Sequence, residues 1–274
     1  MQDPVLSIIT IHFNRKSDLE ATFDSVLSQT ARDRFEYVVI DGGSTDGSAE
    51  QILARQEQLD YWVSEPDAGI YHAMNKGIRA AKGQYLLFLN AGDTLCTPQV
   101  IEKAWPEIQE GAADIVSFAV QIEQTYGGCE TYLPPIHPTF VHFVQNSLPH
   151  PSTFIRRDLF FRYGLYDETL KIASDWKFFV EVICRHRASY KACPLPLSVF
   201  QNDGISSNPK FKQVWQKEKE QVLKNDFPAF YEDALELIRY RKRWSFVNGG
   251  FFLKKMRELN KRIKGAVRKK KGPF

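Results

Sequence analysis

No run of apolar residues in this sequence approaches the eighteen or so needed to cross a bilayer, so a membrane-spanning chain is not expected. Cysteine is scarce. Cys96, Cys129, Cys184 and Cys193 form no C-x-x-C pair and no compact framework, and we read them as reduced thiols of a cytoplasmic chain. Met1-Gln2-Asp3-Pro4 carries no basic region ahead of an apolar run, so no secretory signal is expected. Glycine is absent from the turn His12-Phe-Asn-Arg-Lys-Ser17, where a dinucleotide-binding oxidoreductase needs G-x-G-x-x-G directly after its first strand. A Walker loop is missing as well, and so are internal repeats.

What is present suits a globular protein. Hydrophobic content of 43% and charged content of 25% are ordinary for a soluble fold, and 274 residues can bury one large core plus an appendage. The net charge of +3 hides a segregation: Arg239 to Phe274 holds fourteen Lys or Arg and one acid, Glu258, which leaves residues 1–238 at −10. Such a tail is suited to an anionic surface, either membrane or nucleic acid.

Val5 to Phe13 is short, apolar and rich in β-branched residues, as a buried strand requires. Ser17-Asp18-Leu19-Glu20 has the form of a capping box, opening a helix that buries Leu19, Phe23, Val26 and Leu27. A second strand, Tyr37–Ile40, runs into Asp41-Gly-Gly-Ser-Thr-Asp-Gly47, and a helix follows from Ser48. Ile70, Ala73, Met74, Gly77, Ile78 and Ala81 share one helical face, which Gly83 is expected to end. Tyr85–Leu89 and Ile115–Val120 are further strands, and 121–151 reads as an aperiodic, substrate-facing loop region. Helical character returns at Ser174–Arg185 and dominates from Phe211. Alternation of this kind predicts an α/β fold with a mostly parallel sheet and helices on both faces.

Ligands of such sheets bind beyond the carboxyl ends of the strands. Three strands here end in polar clusters: His12/Asn14/Arg15, the Asp41–Gly47 turn, and Asn90-Ala-Gly-Asp93. One such cluster can be no more than a tight turn with a helix cap; three in register point to a ligand.

Ser7–Arg15, Val38–Gly47, Ser64–Gly77 and Leu87–Asp93, in this order and near this spacing, resemble family 2 glycosyltransferases of the GT-A, Rossmann-like fold. His150–Arg157 and Ile172–Trp176 look like that family's acceptor-side segments. The resemblance implies a metal-dependent, inverting transfer of a hexosyl or N-acetylhexosaminyl group from a nucleotide-diphosphate donor, UDP-linked, to a hydroxyl of a lipid-linked glycan or polysaccharide. By position it assigns Thr10, Asn14, Arg15, Asp41, Asp67, Asn75 and Asn90 to the nucleotide-sugar donor. Asp93 matches the last acid of the family's D-x-D element, which holds Mn²⁺ or Mg²⁺ against the diphosphate, and His150 is a second metal candidate. The first acid of that element is replaced by Asn90, so the cation would rely on Asp93, diphosphate oxygens and waters. Asp175 matches the catalytic base, with Ser174 where Glu is commoner; its plainer role is that of an acid in a helix's first turn. Trp176 can stack on an acceptor sugar or pack in the core, and Lys76 and Arg79 can face phosphate or water.

Phe252, Met256, Leu259, Ile263 and Val267 form a narrow apolar stripe among lysines and arginines, and we expect 246–271 to bind the inner face of the cell membrane as a basic amphipathic helix. No nucleic-acid-binding module accompanies it, so nucleic acid is not expected as a partner. Residues 1–210 are expected to form the catalytic domain and 211–274 a helical extension. A catalytically idle nucleotide-sugar or glycan-binding module at the membrane is the alternative.

Overall fold

The computed structural model describes residues 4–109, 112–124, 127–201, 209–241 and 243–244. The chain opens with β1 (Leu6–His12), α1 (Lys16–Leu27), β2 (Phe35–Asp41), α2 (Ser48–Leu53), β3 (Tyr61–Ser64), α3 (Ile70–Ala80) and β4 (Tyr85–Phe88). All seven residues of β1 and of β2 are buried, which is why both read as continuous apolar runs rather than alternating ones. β1 pairs in parallel with β2 and β4, and β3 pairs in parallel with β2. The β1–β2 register sets His12 opposite Asp41, so two of the polar strand ends emerge side by side.

The second half continues with β5 (Thr94–Leu95), α4 (Val100–Ala104), β6 (Ile115–Glu123), β7 (Cys129–Tyr132), α5 (Phe140–Gln145), β8 (Thr153–Arg156), α6 (Asp158–Tyr163), α7 (Ser174–Val180), β9 (Tyr190–Gln201) and α8 (Pro209–Asp226). Among the described residues the strands form one curled, mostly parallel sheet in the order β3-β2-β1-β4-β8-β6-β9-β5, with β7 on β6 and helices around it. Residues 121–151 are therefore more structured than their composition suggested: they carry the end of β6, all of β7 and α5.

Two local expectations are corrected. α1 begins at Lys16, and no side chain of its own caps it; the Lys16 amide instead donates to Asp46 Oδ2 (2.9 Å) in the turn after β2. A neighbouring loop thus does what the Ser17–Glu20 pattern was expected to do. α3 ends in extended backbone at Ala81, and the Gly83 amide donates to Ser7 Oγ (2.8 Å) on β1. Gly77 has a different purpose: a Cβ there would lie 2.5 Å from Ile9 Cγ2, so α3 approaches the sheet at a distance only glycine allows.

The described residues divide into two compact units between Val222 and Leu223. In the second, residues 228–241 are helical and expose Phe230, Leu237 and Tyr240, as does Trp244 beyond them. The segment 246–271, expected to meet the membrane, lies outside the described residues. Among those described, no helix is long and apolar enough to cross a membrane.

Candidate functional site

A cavity of about 760 Å³ opens beyond the carboxyl ends of β1, β2 and β4. Six of the residues singled out from sequence line it: Arg15, Asp67, Asn90, Asp93, His150 and Asp175. They arrive from five places in the chain. Asn90–Asp93 is a turn closed by Asp93 N donating to Asn90 O (2.9 Å). Thr22 of α1 pins it, accepting from Gly92 N (3.0 Å) and donating to Asp93 O (2.9 Å). Gly92 sits at φ +105°, where a side chain is strained, and this conformation lets the turn fold back on α1.

Four assigned residues, Thr10, Asn14, Asp41 and Asn75, do not line the cavity. Thr10 is fully buried, its hydroxyl shared with Tyr37 Oη (3.0 Å) and Leu89 O (2.8 Å). Alternation along β1 accounts for this, since Ile9 and Ile11 flank a residue that faces the core. Asp41 is fully buried and accepts from Ser44 N (3.0 Å) and Ser64 Oγ (2.6 Å), so its carboxylate shapes the 41–47 turn. Asn14, at φ +49°, receives Thr45 N at Oδ1 (2.8 Å) and gives its own amide to Ser44 Oγ (2.8 Å). Asn75 clasps the chain near Tyr166, donating to Tyr166 O (2.9 Å) and accepting Tyr166 N (3.0 Å).

Lys76 turns to protein rather than to a free phosphate site, pairing with Asp67 Oδ1 (2.6 Å) and Glu65 (2.8 Å). Asp67 also faces His72 Nδ1 at 3.1 Å. Trp176 is fully buried and donates Nε1–H to Phe143 O (2.8 Å), which makes it a core residue and removes it from sugar stacking. His150 pairs Nε2 with the Tyr166 hydroxyl (2.8 Å) and stacks on Phe88, ring centres 4.9 Å apart. Burial lowers its pKa against the opposing charge of Asp175. A cation ligated through Nε2 would have to break the Tyr166 contact.

The chemistry of the donor set suits a hard divalent cation, though sparsely. Asn90 Oδ1 is buried without a hydrogen-bond partner, in the same turn as the buried Asp93. Both offer oxygen, the donor type Mg²⁺ and Mn²⁺ prefer. No group of three or more ligating His, Cys, Asp or Glu side chains occurs among the described residues, so the remaining positions would fall to substrate oxygens and waters.

Tyr71, which the sequence reading did not single out, and His12, which it named only within the first strand-end cluster, also line the cavity. Tyr71 donates its hydroxyl to Asp175 Oδ1 (2.8 Å); burial and the Asp175 charge hold its pKa well above the usual value, so it remains a proton donor. Its signal was weak, because Tyr71 lies in the Ser64–Gly77 segment where only Asp67 and Asn75 were assigned, and off the apolar face read from spacing. His12 is buried with neither ring nitrogen hydrogen-bonded, and Asp41 Oδ1 lies 3.9 Å from Nε2. Burial lowers its pKa in spite of Asp41, Asp46 and Asp18; the ring itself is shut off from solvent, and the residue meets the cavity through its backbone.

Residues 7–160 match the family described as Glycosyl transferase family 2. An uncharacterized glycosyltransferase of Mycobacterium tuberculosis, Rv1514c, is 33% identical over 184 residues, covering 64% of this chain and 67% of the relative. The PGL/p-HBAD biosynthesis glycosyltransferase Rv2957 of the same species is 34% identical, covering 65% of this chain and 69% of the relative. Among solved structures, S. aureus TarS 1–349 in complex with UDP-GlcNAc superposes with a TM-score of 0.61 at 18% identity, over 80% of this chain and 70% of that one. The mannosyltransferase PcManGT of Pyrobaculum calidifontis, in complex with GDP-Man and Mn²⁺, gives 0.56 at 20% identity, over 73% and 57%. The chain spans 40% of the longer TarS structure. The sheet order, the cavity at the strand ends and these matches agree on a GT-A fold and a glycosyl transfer role: the chain belongs to glycosyl transferase family 2.

Proposed function

We propose that this chain transfers a hexosyl or N-acetylhexosaminyl group, with inversion, from a UDP-linked donor to a hydroxyl of a lipid-linked glycan or polysaccharide. The observation that carries the reading is the single cavity joining the Asn90–Asp93 turn to Asp175. Donor diphosphate would lie against Arg15, Asn90 and Asp93. Asn14, Asp41 and Thr10 would support the nucleoside from behind, by holding the 41–47 turn and β1, while Asp67 and Asn75 steady the segment that leads into α3. A Mn²⁺ or Mg²⁺ held by Asp93 and Asn90 would stabilise the charge that grows on the departing diphosphate.

The acceptor hydroxyl is a poor nucleophile and needs a positioned base. Asp175 takes its proton as the oxygen attacks the anomeric carbon from the face opposite the diphosphate, and one displacement of this kind inverts the centre. Tyr71 orients the carboxylate through its hydrogen bond to Oδ1. The catalytic domain of residues 1–210 would work at the inner face of the cell membrane, with 211–274 as the helical extension that brings it there. Exposed Phe230, Leu237, Tyr240 and Trp244 beside Arg239, Arg241 and Arg243 support a membrane-facing role for that extension.

Release of nucleoside diphosphate from a panel of nucleotide sugars, with and without Mn²⁺ or Mg²⁺, tests the reading. We expect metal-dependent turnover of a UDP-sugar that Asp93→Ala abolishes without unfolding the chain. No turnover of any donor would favour an idle binding module, and near-normal turnover by Asp93→Ala would remove the metal assignment.

A further inference from the structure

α7, which carries Asp175 in its first turn, has no local cap: Ala173 stands at the N-cap position, and its side chain offers no acceptor. The amides leading into it are served by one carboxylate 45 residues further along the chain. Glu218 of α8 accepts Lys171 N at Oε1 (2.7 Å) and both Ile172 N and Ala173 N at Oε2 (3.1 Å each). Three N–H groups converging on an anion make charge-assisted bonds, and the positive end of the helix dipole favours that anion further.

The neighbouring residue completes the grip. Lys219 is buried, with Nζ 4.7 Å from the ring centre of Trp176 and 4.0 Å from that of Trp215, and it donates to Asn146 O (3.3 Å). Trp176 is itself tied to Phe143 O. Adjacent residues of α8 therefore hold residues 171–173 and Trp176, and Asp175 lies between those two points. Ile172, inside the gripped segment, lines the cavity beside it.

We propose that Glu218 is a positioning residue for transfer: from α8 it fixes the entry of α7 and thereby the place of Asp175 at the cavity. The inference rests on Asp175 acting as the base. It makes the first helix of the C-terminal extension part of the working site, although the family match ends at residue 160. The grip also explains how a segment with Ala at its cap position can present a carboxylate in a fixed place.

The test uses the full chain and three variants, Glu218→Ala, the nearly isosteric Glu218→Gln, and Asp175→Asn as the reference. Calorimetry with UDP gives affinity and counts folded sites, so turnover of the donor found in the screen is expressed per binding site. Amide exchange over residues 171–175 reports the hold directly. We expect exchange there to rise about tenfold or more in both Glu218 variants and turnover to fall about tenfold or more, because misplacing a reacting group by an ångström is costly. UDP affinity should stay within about twofold, which a general loss of structure would not permit. Unchanged exchange, or turnover within about twofold of wild type while Asp175→Asn is inactive, overturns the inference and leaves the base in place. Retained transfer by Asp175→Asn overturns the base assignment, whatever the Glu218 variants do. A wild-type chain that turns over no nucleotide sugar overturns both.

Discussion

Replacing Lys219 with methionine should stabilise the protein at neutral pH, and the advantage should fade as the pH rises. Lys219 is 4% exposed, and burial pushes its pKa from 10.5 down to about 7, with the charge of Asp175 opposing only in part. Between those two values the unfolded chain holds a proton that the folded chain has released. Stability of the wild type therefore climbs with pH across that window, by about 1.4 kcal/mol per pH unit, and the whole window is worth ~5 kcal/mol. Below the folded pKa both states bind the proton and the cost is constant. Methionine has similar length, fills the space between Trp176 and Trp215, and carries no charge to desolvate. The ammonium's contacts with the two rings give back ~1 kcal/mol or more to the wild type, so a net gain of a few kcal/mol is expected near pH 7. Urea unfolding of both proteins at a series of pH values measures it, since the difference between them cancels the titration of tyrosines and other lysines. The gap should narrow by about 3 kcal/mol between about pH 8 and pH 10. A gap that does not change with pH would refute the reasoning, because it would mean that the buried amine is not the source.

Asp175→Asn keeps the shape of the base and removes its function, so transfer should fall about 10²-fold or more with nearly normal UDP affinity by calorimetry. Tyr71→Phe should lower the rate by less, since it only frees the carboxylate to turn; a larger loss than Asp175→Asn would reverse the two roles. Gly77→Ala should destabilise the fold by about 1–3 kcal/mol, because the added Cβ meets Ile9 on β1; an unchanged melting temperature would show that α3 can back away from the sheet. Removing residues from 246 onward should free the protein from anionic vesicles in co-sedimentation and spare transfer to a short soluble acceptor. Equal sedimentation of full-length and truncated chains would end the membrane reading.

The sequence by itself determined β1, β2 and β4 of the parallel half of the sheet and the helices α1, α2 and α3, but not the edge strand β3. β1, β2 and β4 are buried on both faces and so are written as unbroken apolar runs, and the face of α3 repeats at helical spacing. Of the residues that line the cavity, position at a strand end pointed to Arg15, Asn90 and Asp93, whereas Asp67, His150 and Asp175 came from the resemblance to the family's motifs. The sequence did not reveal β9, where Pro194 and Pro196 argue against a strand. The sheet accepts them because the pairing with β6 shifts register between Phe118 and Val120. It could not separate Thr10 and Asp41, which face inward, from residues that face the cavity, because one residue along a strand or turn reverses the side chain's direction. Nor could it join Glu218 to Ala173 or Tyr71 to Asp175, which are 45 and 104 residues apart. Local pattern records which faces are apolar; which polar groups meet across the fold is decided only when those faces pack together.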